Sequence, residues 1–233
     1  MKNRKTKDTQ KYIILVAAAI ALALIATLGR IYFRDDEAAD FMADGVLRVC
    51  LDPGHGGDDP GAKSADGLRS EKDDCLSLAL KIRAALADRY PETDVVMTRE
   101  DDTYLTLEER CDVANRCGAD LFVSIHRNSA DGSASGVEIW ADSKKPKTDR
   151  HLAEKILKAV DGVGVASDRG VKYGTASNPD GNYYVNANTD MPSCLIEMGF
   201  ITSQADNDLL DQNIDAYAAA IAEAVGEMLN AGK

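Results

Sequence analysis

Short apolar runs alternate along this chain with stretches of helical period, and that alternation narrows the fold more than any other feature. Residues 46–51, 94–98, 121–125, 136–140 and 194–197 read as strands, the first, third and fourth as buried ones. Residues 70–89, 106–116, 151–160 and 215–229 read as helices. In the first of these, Cys75, Ala79, Ile82 and Leu86 share one face, and Ser70 with Asp73 resembles a capping box. In the second, Leu107, Val113 and Ala114 are expected inward, and Gly118 suits a helix stop. Strands alternating with helices predict an α/β fold on a mostly parallel sheet flanked by helices.

In such a sheet, ligands gather beyond the carboxyl ends of the strands. The first strand runs into Asp52-Pro53-Gly54-His55, the 121–125 strand into His126, and the last into Glu197. Each has an ordinary reading. A histidine in a glycine-rich turn is usually a surface residue, His126 suits a half-buried ring, and Glu197 could pair with a cation. A glutamate between Ile196 and Met198 is nevertheless costly to bury without a task. Parallel strands would bring all three to one edge. Glu71 opens the helix that follows the glycine turn, where an acid also suits the helix dipole. His55, Glu71 and His126 would form a two-histidine, one-carboxylate set, and a catalytic zinc takes three protein ligands and a water. Glu197 would then stand beside the water. His151, at a helix start, reads as a surface residue.

The first 44 residues differ from the rest. Lys2, Arg4, Lys5, Lys7 and Lys11 precede an apolar run that ends near Arg30 and Arg34. Residues 1–11 are expected to be a basic cytoplasmic tail, 12–33 a transmembrane signal-anchor, 34–44 an acidic linker, and 45–233 a single exported domain. The domain would then lie outside the cell membrane on a single-pass anchor, or be secreted if the segment is cleaved. Residues 45–233 hold 33 of the 39 acidic and 20 of the 27 basic side chains, net −13, which disfavours nucleic acid as a partner. Five cysteines show no framework spacing and read as small buried thiols. Cys50 and Cys194, both in strand-like runs, remain candidate neighbours.

The segments LDPGHGGDDPGA, SEKDDCLSLALKIRAAL, TREDDTYLTLEERCDVANRCGADLFVSIHRNSA, SDRGVK and MPSCLIEMGFITSQADNDLL stand in an order that resembles the zinc-dependent N-acetylmuramoyl-L-alanine amidases of the type-3 family, over about residues 46–230. The resemblance implies a twisted sheet of about six strands, zinc on His55, Glu71 and His126, and Glu197 as the catalytic acid–base. Arg127 departs from the small residue common there and is expected to alter the cleft. The short stretch from Trp140 to His151 leaves no room for the inserted helix that blocks the site in some relatives.

The implied reaction is hydrolysis of the amide joining N-acetylmuramic acid to the L-alanine of a peptidoglycan stem peptide. Zinc would acidify water, and Glu197 would move its proton. Asp52 and Asn128 are candidates to orient the metal ligands, and Arg169 to meet substrate. The alternatives are a zinc carboxypeptidase or endopeptidase, a non-catalytic wall-binding module, and a metal-free carbohydrate hydrolase with paired carboxylates.

Overall fold

A computed structural model describes residues 46–131, 133–144 and 148–230. The tail, anchor and linker expected over 1–44 lie outside the described residues. Among the described residues no helix is long and apolar enough to cross a membrane.

Six strands form one sheet: β1 (Leu47–Pro53), β2 (Thr93–Met97), β3 (Leu121–Asn128), β4 (Val137–Ala141), β5 (Asp168–Tyr173) and β6 (Ser193–Phe200), in the order β2-β1-β3-β6-β4-β5. Neighbours pair in parallel except β4, which runs against β6. The mostly parallel expectation holds. The helices are α1 (Glu71–Arg89), α2 (Leu107–Arg116), α3 (Thr148–Val163), α4 (Tyr184–Asn188) and α5 (Gln204–Asn230).

The two sheet faces bury different partners. Val49, Leu51, Val123, Ile125 and Ile196 pack with Leu78 and Ile82 of α1, Ile156 of α3, and Ile221 of α5. Cys50, Phe122, Trp140 and Leu195 face the other way, onto Cys111 and Ala114 of α2 and Val185 of α4. Burying each large side chain contributes roughly 1.5–3 kcal/mol. His126 and Glu197 follow Phe122 and Leu195 in the alternation, so they stand on the α2/α4 face at the edge where β1, β3 and β6 end.

Several expectations need correction. Leu107 is not inward but 52% exposed; α2 packs through Arg110, Cys111 and Ala114. Ser70 precedes α1 but caps no backbone N–H, because its hydroxyl bonds the Asp73 carboxylate instead. The reciprocal box belongs to Thr106 and Glu109 on α2. Gly118 does follow that helix, at φ 62. The chain reaches β5 and α4 through segments with no apolar run, and α5 begins at Gln204, well before residue 215. All five cysteines are unpaired, and Cys117 is half-buried rather than buried. Cys50 and Cys194 are not neighbours, since β3 lies between their strands and they pack on opposite faces.

Candidate metal centre

The turn after β1 is held by two buried arginines. Arg99 Nε donates to the Pro53 carbonyl at 3.0 Å and its Nη2 to that of Gly54 at 2.7 Å. Arg110 Nη1 donates to the Pro53 carbonyl and its Nη2 to that of His55, each at 2.7 Å. Three successive carbonyls are thereby pinned. His55 sits at φ 61 and is the non-glycine residue with positive φ among the described residues. Such a backbone persists only where the surroundings over-determine it.

Asp52, the last carboxylate of β1, is fully buried and accepts from Arg110 Nη1, Thr98 Oγ1 and Ser124 Oγ, each at 2.7 Å. Burial alone would raise its pKa, but the Arg110 guanidinium and the two hydroxyls hold it below the usual carboxylate range. Asp52 hydrogen-bonds neither histidine among the described residues. Its link to the site runs through Arg110, which holds the His55 carbonyl.

Glu71, the first residue of α1, gathers the site. Its Oε1 lies 2.9 Å from His126 Nδ1, 3.1 Å from His55 Nε2 and 3.0 Å from the Arg127 N–H that donates to it. Its Oε2 accepts from the Ala62 N–H at 2.8 Å. Burial pushes the carboxyl up, but hydrogen bonds from His126 and His55 outweigh that and hold it far below its ordinary value. Two glycines make this convergence possible. A Cβ on Gly54 would stand 2.2 Å from His126 Cε1, and one on Gly61 would stand 2.6 Å from Glu71 Oε2.

His55 Nδ1 lies 2.8 Å from Asp59 Oδ2, and Asp59 Oδ1 accepts from the Gly61 N–H at 3.0 Å. Burial disfavours a charged His55 ring, but Glu71 and Asp59 overcome this and raise its pKa. When His55 is neutral with Nδ1–H donated to Asp59, Nε2 turns its lone pair toward the Glu71 carboxylate, the arrangement a metal ligand needs. One ligand atom from each of His55, Glu71 and His126 lies within 4.8 Å of the others, so the three residues could hold a metal ion. Two imidazoles and one carboxylate, with a carboxylate behind one ring, match the donor set and supporting contact of a catalytic metal site.

Glu197 is the register partner of His126 across β3 and β6. Its carboxyl is buried, and Oε2 has no hydrogen-bond partner among the described residues. Burial first, then the charges of Glu71 and Glu138, push its pKa well above the ordinary value, with Arg127 opposing. A cavity of about 310 Å³ opens over His55, His126 and Glu197. Tyr104, Leu107 and Tyr184 form part of its wall, and they are three of the five large apolar side chains exposed among the described residues. Leu107 is exposed because it belongs to this rim.

The remaining expectations divide. Asn128 makes no hydrogen bond to a histidine among the described residues; its Nδ2 donates to Glu138 Oε1 at 2.9 Å. Arg169 Nε donates to Glu138 Oε2 at 2.8 Å. Arg127 does not line the cavity. One residue past His126, it points to the opposite face, where it pairs with Asp74 and donates to Asn207 Oδ1 at 2.7 Å. His151 is exposed on α3, as expected for a surface residue. Sequence reasoning missed Asp59 and Glu138. The signal for Asp59 was an acid four residues after His55 within the same turn. Glu138 offered none beyond a charge inside an apolar run.

A family model described as N-acetylmuramoyl-L-alanine amidase matches residues 49–229. The chain is 37% identical over 163 residues to the sporulation-specific N-acetylmuramoyl-L-alanine amidase of Bacillus subtilis (strain 168), covering 69% of this chain and 59% of that protein. It is 35% identical over 192 residues to the N-acetylmuramoyl-L-alanine amidase CwlM of Bacillus licheniformis, covering 81% and 71% respectively. The crystal structure of an N-acetylmuramoyl-L-alanine amidase from Clostridium difficile 630 superposes with a TM-score of 0.73 at 33% identity, covering 82% of this chain and all of that one.

Proposed function

The chain belongs to the N-acetylmuramoyl-L-alanine amidase family of hydrolases, and from that premise we propose that it cleaves the amide between N-acetylmuramic acid and the L-alanine of peptidoglycan stem peptides with a zinc ion held by His55, Glu71 and His126. The observation that carries this reading is Glu197 Oε2, buried and unpartnered among the described residues, one strand from His126 and in the cavity shared with His55 and His126.

Zinc, when bound, supplies a Lewis acid that polarises the scissile carbonyl and acidifies water. Glu197 takes the proton of the attacking water on its carboxylate and returns it to the leaving nitrogen of alanine. Its raised pKa suits both halves of that task. Asp59 holds the His55 ring with Nε2 turned inward. Arg99 and Arg110 fix the turn that carries His55. The apolar wall of Tyr104, Leu107 and Tyr184 excludes water around the sugar. The basic residues before the 12–33 run support a place outside the membrane, on a single-pass anchor or released after cleavage.

The test is digestion of purified peptidoglycan by the full chain loaded with zinc. New alanine amino termini on intact stem peptides support the reading. Cuts within the stem would replace it with a peptidase. Release that survives Glu197→Ala would remove Glu197 from its role.

A further inference from the structure

Past Glu197 the row of strand ends continues into β4 and β5. Because β4 runs against β6, its first residues lie at the edge where β6 ends, and parallel β5 begins at that same edge. Glu138 is the register partner of Glu197. Its buried carboxylate is occupied on both oxygens, by Asn128 Nδ2 and Arg169 Nε. The β4–β5 register slips between Val137↔Asp168 and Ile139↔Val171, so Arg169 and Gly170 together oppose Glu138, with Gly170 at φ 85. Such a bulge re-aims a side chain. Here it brings the Arg169 guanidinium to Glu138 and over the Phe200 ring, 4.9 Å from the centroid.

Arg169 differs from the other arginines near the centre. Arg99, Arg110 and Arg127 each spend all three nitrogens on protein acceptors. Arg169 spends only Nε among the described residues, and its side chain is 37% exposed. Anchored on one edge and stacked on one face, it offers Nη1 and Nη2 outward as a fixed fork. That is the geometry that binds a carboxylate with two parallel hydrogen bonds.

We infer that Arg169 recognises a carboxylate of the stem peptide on the leaving side of the scissile amide, an inference that rests on the amidase reading. Direction follows from the two flanks of Glu197. The flank toward His55 is walled by Tyr104, Leu107 and Tyr184, which suits the faces of a sugar ring. The flank toward β5 ends in a guanidinium. Two strand spacings, about 10 Å, separate β5 from β6, and the arginine reaches back toward Glu138. This leaves a span of one or two extended residues. The carboxylate at that distance is the α-carboxyl of the second stem residue, a side-chain-linked glutamate that is either free or amidated. Without Arg169, the charges of Glu138 and Glu197 would repel the free form.

The experiment compares N-acetylmuramoyl-L-alanyl-D-glutamate, linked through the glutamate γ-carboxyl when extended, with its α-amide, as substrates of the zinc-loaded full chain. The acid is expected to have a KM lower on the order of tenfold. Arg169→Gln is expected to bring the acid-to-amide ratio of kcat/KM close to one. Arg169→Lys, which keeps a cation beside Glu138 but loses the fork, should retain part of the preference. The ratio is internal to each preparation, so a general loss of folded protein does not move it. No preference in the wild type, or an undiminished one in Arg169→Gln, would overturn the inference. Hydrolysis of neither substrate, with intact peptidoglycan also uncut, overturns the amidase reading and this inference with it.

Discussion

Glu197 is held between Ile196 and Met198 with one carboxylate oxygen unsatisfied, and that arrangement works against the fold. An acid whose folded pKa lies above its unfolded value near 4.3 is destabilising when charged. The cost is absent below about pH 4 and grows as pH rises through the neutral range. In metal-free protein, Glu197→Gln should therefore raise the melting temperature at pH 7 and leave it little changed at pH 4; in the zinc-loaded chain the same substitution should lower kcat by roughly 10²–10⁴. Thermal scans at the two pH values decide this; a lower melting temperature at pH 7 would contradict the burial argument. Asp59 makes the opposite case, since its carboxylate serves its partner. Asp59→Asn should weaken zinc binding by roughly 10–100-fold, read by competition with a chromogenic chelator. Unchanged affinity would show that the His55 contact does not support the metal.

Elements explain which expectations succeeded. Ser70 with Asp73 and Thr106 with Glu109 look alike in sequence, yet only Thr106 closes a reciprocal box. Its hydroxyl accepts from the Glu109 N–H at 3.2 Å, and Glu109 Oε2 accepts from the Thr106 N–H at 2.8 Å. Aspartate is one carbon shorter, and Asp73 takes the Ser70 hydroxyl instead. Thr106→Ala should cost about 1 kcal/mol in urea unfolding, and Ser70→Ala distinctly less. Equal losses would mean that the cap geometry does not govern α2. The buried strands β1, β3 and β6 were legible because both faces are covered and each carries a short apolar run (Val49–Leu51, Leu121–Val123, Cys194–Ile196). Strand β5 was not, because an edge strand of sequence DRGVKY carries no such run. His55, His126, Glu71 and Glu197 were legible from their places after strands and at a helix start. Asp59 and Glu138 were hidden because their importance comes from register and loop closure, which no local pattern encodes. Arg127 was misplaced by treating neighbours in sequence as neighbours in space, when strand alternation sends it to the far face.

The whole domain is held by two cores on either side of one sheet, without a covalent cross-link among its five thiols. Burial raises the pKa of every one of them, with Cys111 pushed up to about 11. Thiolate is the species that oxidises and exchanges, so these groups are chemically quiet. Small disulfide-built domains commonly depend on an oxidising surrounding to stay folded. This fold, with no disulfide, owes nothing to redox poise. Its melting temperature and activity should be the same in millimolar dithiothreitol and in oxidised glutathione, a comparison that a hidden disulfide would fail. A hydrolase cohering by packing alone is indifferent to the oxidant around it, and its cysteines serve as ballast rather than rivets.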